Sequence, residues 1–138
     1  MSIITVREAI NSALAEEMRR DPSVVVMGCD VGVTQDLYKE FSHERVYDTP
    51  ISEPGFAGIG VGLAATGIRP VIEIMFCDWV TLAMDQIVNM AAKMRYMFGG
   101  KVNMPIVFRV PFGAGGGQAA QHSQSLEAWF NHVPGLKL

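Results

Sequence analysis

Apolar residues recur at helical spacing from the start of the chain: Val6, Ile10, Ala13, Leu14 and Met18 fall three or four apart until Asp21-Pro22 stops the run. Thr5 with Glu8 three positions on makes a capping box, so a first helix is predicted over about Thr5 to Arg20. The pattern then changes. "SVVVMG" (Ser23 to Gly28) is a short β-branched block closed by glycine and reads as a buried strand. "DLYKEF" predicts a short helix, "RVYDTP" a short extended segment ended by proline, and the stretch from about Glu53 to Thr66 a longer helix. "RPVIEIMF" (Arg69 to Phe76) and "MPIVFRV" (Met104 to Val110) are the further strand candidates. Between them Val80, Met84, Ile87, Val88, Ala91, Met94 and Phe98 predict one amphipathic helix ended by Gly99-Gly100. Short, nearly all-apolar strands alternating with helices of ten or more residues imply an α/β fold: a mostly parallel sheet with helices on both faces.

A chain of 138 residues is one domain's worth, able to bury roughly two-thirds of the surface that its unfolded form exposes. The net charge of −3 and scattered Lys and Arg offer no basic stripe, so no nucleic-acid partner is expected. Cys29 and Cys77 lack metal-ligand spacing and fit a reducing compartment, which points to the cytoplasm. The first twenty residues carry acids throughout and no continuous apolar block, so neither a signal peptide nor a membrane anchor is expected. The apolar end, "HVPGLKL", reads like the beginning of a strand and suggests a truncated piece.

Three stretches carry candidate chemistry. In "DTPISEPGFAGIGVG", Gly58, Gly60 and Gly62 superficially resemble a dinucleotide fingerprint, but no strand leads directly into them. Gly55, Gly58, Gly62 and Ala65 instead fall three or four apart on one helical face. Glycine inside a helix costs about 1 kcal/mol against alanine, so close contact at a buried interface is expected there. Glu53 then has two readings: a solvated acid on the helix dipole, or an inward-facing carboxyl kept in its neutral form as a hydrogen-bond donor. His122, in "QHSQ" after the glycine-rich "GAGGGQAA", is either a surface-loop histidine or a proton carrier on a loop moving over a pocket. No Lys follows those glycines, which weakens a phosphate loop. Trp79, in "EIMFCDWV", follows a strand where α/β folds place ligand contacts, and either stacks on a heteroaromatic ring or packs in the core. His43 and His132 lack such context and read as structural or exposed.

Taken in order, "DTPISE…GFAGIGVGLAATGIRPVIEIMF", "AMDQIVNMAAKMRYMFGGK", "MPIVFRV" and "AAQHSQ…WFNHVPGLK" resemble the N-terminal half of the beta subunit of thiamine-diphosphate-dependent 2-oxo acid dehydrogenases. "KMRYMFGGK" looks closest to the acetoin branch; the pyruvate and branched-chain branches stay open. The resemblance implies that residues 1–138 are a transketolase-like pyrimidine-binding domain, from a beta subunit lacking its second domain. It also implies that Glu53, in the "ISE" motif, hydrogen-bonds a ring nitrogen of the cofactor's aminopyrimidine and so activates the thiazolium. By position, Trp79 would stack on the aminopyrimidine; Ile51, Ser52 and Met75 would line that pocket; Phe76, Cys77 and Asp78 would border the substrate; and His122 would face substrate or the incoming lipoyl group.

The partners so implied are an alpha subunit holding magnesium and diphosphate in an α2β2 assembly, a lipoyl-bearing acyltransferase, and a small 2-oxo acid or acetoin. One departure stands out. Relatives commonly read Gly-Glu-Asp where this chain has "GCD", which puts Cys29 in place of an acid near the cofactor. That change leaves open a catalytically inactive assembly or regulatory module, beside the equivalent domain of a transketolase or deoxyxylulose-phosphate synthase.

Overall fold

A computed structural model describes residues 3–29 and 35–138; Asp30 of "GCD" and the four residues after it lie outside them. Four strands, β1 (Val24–Gly28), β2 (Val46–Asp48), β3 (Arg69–Glu73) and β4 (Val107–Arg109), form one sheet in the order β2-β1-β3-β4, every pair parallel. The helices are α1 (Val6–Arg20), α2 (Gln35–Arg45), α3 (Glu53–Ala65), α4 (Met94–Met97) and α5 (Glu127–Asn131).

Alternation along the strands puts helices on both faces. Val24, Val26, Val46 and Val71 turn to one side and pack with Ala15 and Met18 of α1 and Leu37 of α2. Met27, Ile72 and Ile74 turn to the other side and pack with Phe56 and Ala57 of α3. The predicted capping box starts α1: Glu8 N–H donates to Thr5 Oγ1 at 3.2 Å, and Thr5 N–H to the Glu8 carboxylate at 2.6 Å.

α3 buries Glu53, Phe56, Ala57, Gly60, Val61 and Ala64, a stripe at three- and four-residue spacing that lies on β3. Gly60 makes that approach possible, because a Cβ there would come within 2.5 Å of Ile72 Cδ1. Within this chain the face expected at an interface stays uncovered: Gly55 and Gly62 are exposed and Gly58 is half-buried. Close packing is the task of the opposite face.

The stretch expected to be one helix, Val80 to Phe98, is three pieces. A 3₁₀ segment covers Cys77–Ala83, a π-helical segment Gln86–Ala91, and α4 the rest. Cys77, Val80 and Ala83 are buried at intervals of three, the 3₁₀ period, whereas the adjacent Ala91 and Ala92 are both buried, which a wider turn accommodates. β3 ends three residues before its apolar block does, with a bend at Met75, and β4 begins three residues into its block, at Val107.

Candidate functional site

β1 has β2 on one side and β3 on the other, so successive connections leave it in opposite directions. Open parallel sheets bind ligands at such a switch point, outside the carboxyl ends of the strands. Every candidate residue predicted from sequence follows the carboxyl end of a strand: Cys29 after β1, Ile51 to Glu53 after β2, Met75 to Trp79 after β3, and His122 after β4.

On the β2 side, Thr49 N–H donates to Gly28 O at 2.9 Å and turns the chain toward α3. Glu53 is the first residue of the buried α3 stripe, so the helix carries it inward. It is 5% exposed, which accords with the inward-facing reading. Its carboxyl makes no hydrogen bond or ion pair to a described residue. Ser52 and Ile51 are exposed beside it, and Met75 is half-buried.

On the β3 side, Phe76, Trp79 and His122 form a ring cluster, all three pairs edge-to-face. Centroids lie 5.1 Å apart for Phe76–Trp79, 4.8 Å for Phe76–His122 and 5.2 Å for Trp79–His122. The 3₁₀ turn sets Phe76 and Trp79 three apart, with Trp79 N–H donating to Phe76 O at 3.1 Å. The structure thus brings these three predicted residues together.

Cys77 and Asp78 are committed elsewhere. The Cys77 thiol accepts Leu126 N–H at 3.3 Å, and burial pushes its pKa up. The Asp78 carboxylate accepts the Gln124 side-chain amide at 2.7 Å. Burial raises its pKa, but the bonds from the Gln124 side chain and from the Asp78 and Gln124 backbones, with the charge of His122, outweigh this and hold it below the usual carboxylate range.

Sequence reasoning missed two features of this edge. Glu73 and Arg109, paired in register at the ends of β3 and β4, form a two-pronged ion pair in which Glu73 is 1% exposed. Burial pushes the Glu73 carboxyl up, against the opposing pull of Arg109. The signal was a charge in the interior of each of two apolar blocks. The second feature is a pair of hydroxyls, Thr49 Oγ1 and Ser123 Oγ, both buried and without a partner among the described residues. Buried polar atoms are nearly always satisfied, so these two, one four residues before Glu53 and one next to His122, are exceptions on the edge that carries the candidate residues.

An apolar groove of about 1100 Å³ runs between β4, α4 and the last residues; of the candidates, only Cys77 lines it. Among the described residues, no three His, Cys, Asp or Glu side chains are grouped so as to hold a metal ion, and no helix is long and apolar enough to cross a membrane.

Comparison with known proteins follows this geometry. A family model described as "Transketolase, pyrimidine binding domain" matches residues 2–138. The chain is 53% identical to the pyruvate dehydrogenase E1 component subunit beta of Rhizobium meliloti, over 100% of this chain and 32% of that protein. It is 49% identical to the mitochondrial subunit of the same description from Bos taurus, over 98% of this chain and 40% of that one. It thus spans about a third to two-fifths of the length of these relatives. A solved structure described as a split gene transketolase, inactive beta4 tetramer, superposes with a TM-score of 0.73 at 29% identity, covering 96% of this chain and 41% of the other.

Proposed function

The chain belongs to the transketolase pyrimidine-binding domain family, and on that footing we propose that it supplies the pyrimidine half of a composite thiamine-diphosphate site, in the beta subunit of a 2-oxo acid dehydrogenase of the pyruvate type. The observation that carries this reading is the buried Glu53 carboxyl with no partner among the described residues. An isolated buried acid is costly unless something pairs with it, and a ring nitrogen of an aminopyrimidine is a matching acceptor. Thiamine diphosphate, when bound, would supply the electron sink for the pair released on cleavage of the carbon–carbon bond at the substrate's carbonyl carbon.

The chain's own residues bind and orient. Glu53 would donate a hydrogen bond from its neutral carboxyl to the ring nitrogen, a bond that shielding from water would strengthen. Trp79 presents an aromatic face to the pyrimidine, with Ile51, Ser52 and Met75 around it. Phe76 borders the substrate side with Cys77 and Asp78 behind it, and His122 is the group able to hold or move a proton there.

Magnesium and the diphosphate fall to an alpha subunit in an α2β2 assembly, and a lipoyl-bearing acyltransferase takes the product onward. The exposed face of Gly55, Gly58 and Gly62 is open to a neighbouring subunit. Pyruvate is the leading substrate because both relatives above are described as pyruvate dehydrogenase subunits; acetoin and branched-chain 2-oxo acids follow. The cytoplasm is the proposed compartment.

The test is reconstitution of the full-length subunit with its alpha partner, thiamine diphosphate and magnesium, offering pyruvate, acetoin and a branched-chain 2-oxo acid in turn. Glu53→Gln should lower kcat by roughly 10²- to 10⁴-fold while the subunits still assemble. Unchanged turnover in that variant sinks the mechanism. A second reading, an assembly module without catalysis, draws support from Cys29 standing where the resembled family has an acid; no turnover in any reconstitution would favour it.

A further inference from the structure

Gln124 takes no part in the function proposed above, yet it makes two bonds that organise the loop carrying His122. Its carbonyl accepts Gly113 N–H at 2.9 Å, which closes the glycine-rich loop on itself. Its side-chain amide donates to Asp78 Oδ1 at 2.7 Å, and Asp78 is 6% exposed. Two residues on, Leu126 N–H donates to Cys77 Sγ at 3.3 Å. Cys77-Asp78 and Gln124–Leu126 are therefore stitched together at two points. Trp79 lies one residue after this stitch in one segment, and His122 two residues before it in the other.

The loop needs such ties. Gly113, Gly117 and Ala119 have φ of 94°, 61° and 66°, and Ala119 is a non-glycine residue in the left-handed region. His122 N–H reaches Ala119 O only at 3.4 Å, a weak internal bond. The bond to Asp78 is of a stronger kind, since its acceptor is a carboxylate held in its charged form by the donors around it.

We propose that Gln124 and Asp78 form a latch in which Gln124 is a positioning residue, seating the His122 imidazole against Phe76 and Trp79. The consequence for turnover rests on the reading that His122 serves the substrate side. The latch itself does not.

The experiment uses the full-length subunit carrying Trp129→Phe, which leaves Trp79 as the one indole among the two tryptophans of the present sequence; any tryptophan beyond it is replaced likewise. Gln124→Glu sets two carboxylates face to face. Pairing it with Asp78→Asn restores one donor and one acceptor with their roles exchanged. Gln124→Glu should raise acrylamide quenching of Trp79 and speed hydrogen exchange across residues 113–124 by about tenfold, the scale of a lost charge-assisted bond. The double variant should return both readings to the parental values. Gln124→Ala, which adds no charge, should release the loop to a smaller degree and carries the test if Gln124→Glu fails to fold.

In the reconstituted complex, release in Gln124→Glu and in Gln124→Ala should raise KM for the 2-oxo acid, by about tenfold in the first and less in the second. Parental quenching and exchange in both single variants, or no recovery in the double one, overturns the latch. A released loop with parental kinetics upholds the latch and overturns the role given to His122.

Discussion

The two sides of the carboxyl edge treat a buried acid in opposite ways. On the β3–β4 side, Glu73 is 1% exposed and is met by both prongs of the Arg109 guanidinium. On the β2–α3 side, Glu53 is 5% exposed and meets no described partner. The same chain can satisfy a buried carboxyl and, a few strands away, does not. The paired acid ties the edge strand β4 to β3, while the unpaired one is the acid to which the proposed function assigns a group from outside the chain.

Breaking the pair should have the largest effect on stability. Arg109→Met strands Glu73 in a water-excluded position and should cost about 3–5 kcal/mol in denaturant unfolding, whereas replacing both partners with apolar residues should be near neutral. If the single variant is as stable as the parent, the ion pair is not what holds β4. Next comes the contact behind the pair. A Cβ at Gly28 would lie 2.4 Å from the Glu73 backbone oxygen, while one at Gly60 would meet the end of the buried Ile72 side chain at 2.5 Å. Gly28→Ala should therefore cost about 3 kcal/mol and Gly60→Ala about 1 kcal/mol, since backbone yields less than a side-chain end.

On the unpaired side the expected stability change is small and of opposite sign. Glu53→Gln should leave unfolding unchanged or raise stability by up to about 1 kcal/mol while removing activity, the pattern of a site that trades stability for function. A loss as large as that of Arg109→Met would mean that Glu53 is structural.

Smallest is the pH dependence. The folded chain holds Glu73 above the ordinary carboxylate range, so its contribution is intact below the unfolded value and is lost as pH rises through the folded one. Asp78 is held below that range, so its contribution is present above the unfolded value and is lost as pH falls through the folded one. Subtracting the pH profiles of Glu73→Gln and Asp78→Asn from the parental profile should give curves of opposite slope.

Much of this fold was legible in the sequence because the signals are local. The capping box of α1, the valines of β1 and the closing Asp21-Pro22 need no distant partner to be read. The 3₁₀ and π segments were not legible, since Val80, Ile87 and Ala91 fit an α-helical stripe equally well until Ala92 proves buried beside Ala91. The burial of Glu53 within this chain comes from the other face of the helix: Phe56, Gly60 and Val61 carry it inward, while Gly55 and Gly62 stay in the open. The pairings of Glu73 with Arg109 and of Asp78 with Gln124 depend on strand register and loop return, which spacing along the chain does not encode.

A π-turn is wound one residue wider than its neighbours, and the turn at Gln86–Ala91 is therefore a place where the chain can change length. Removing one residue there would let the backbone tighten into an ordinary α-helix and keep both ends near their present positions. The same deletion inside α3 would swing everything beyond it by about 100° and turn the buried stripe toward water. Insertions and deletions among descendants of this chain should collect at the wide turn and avoid the helix that begins with Glu53.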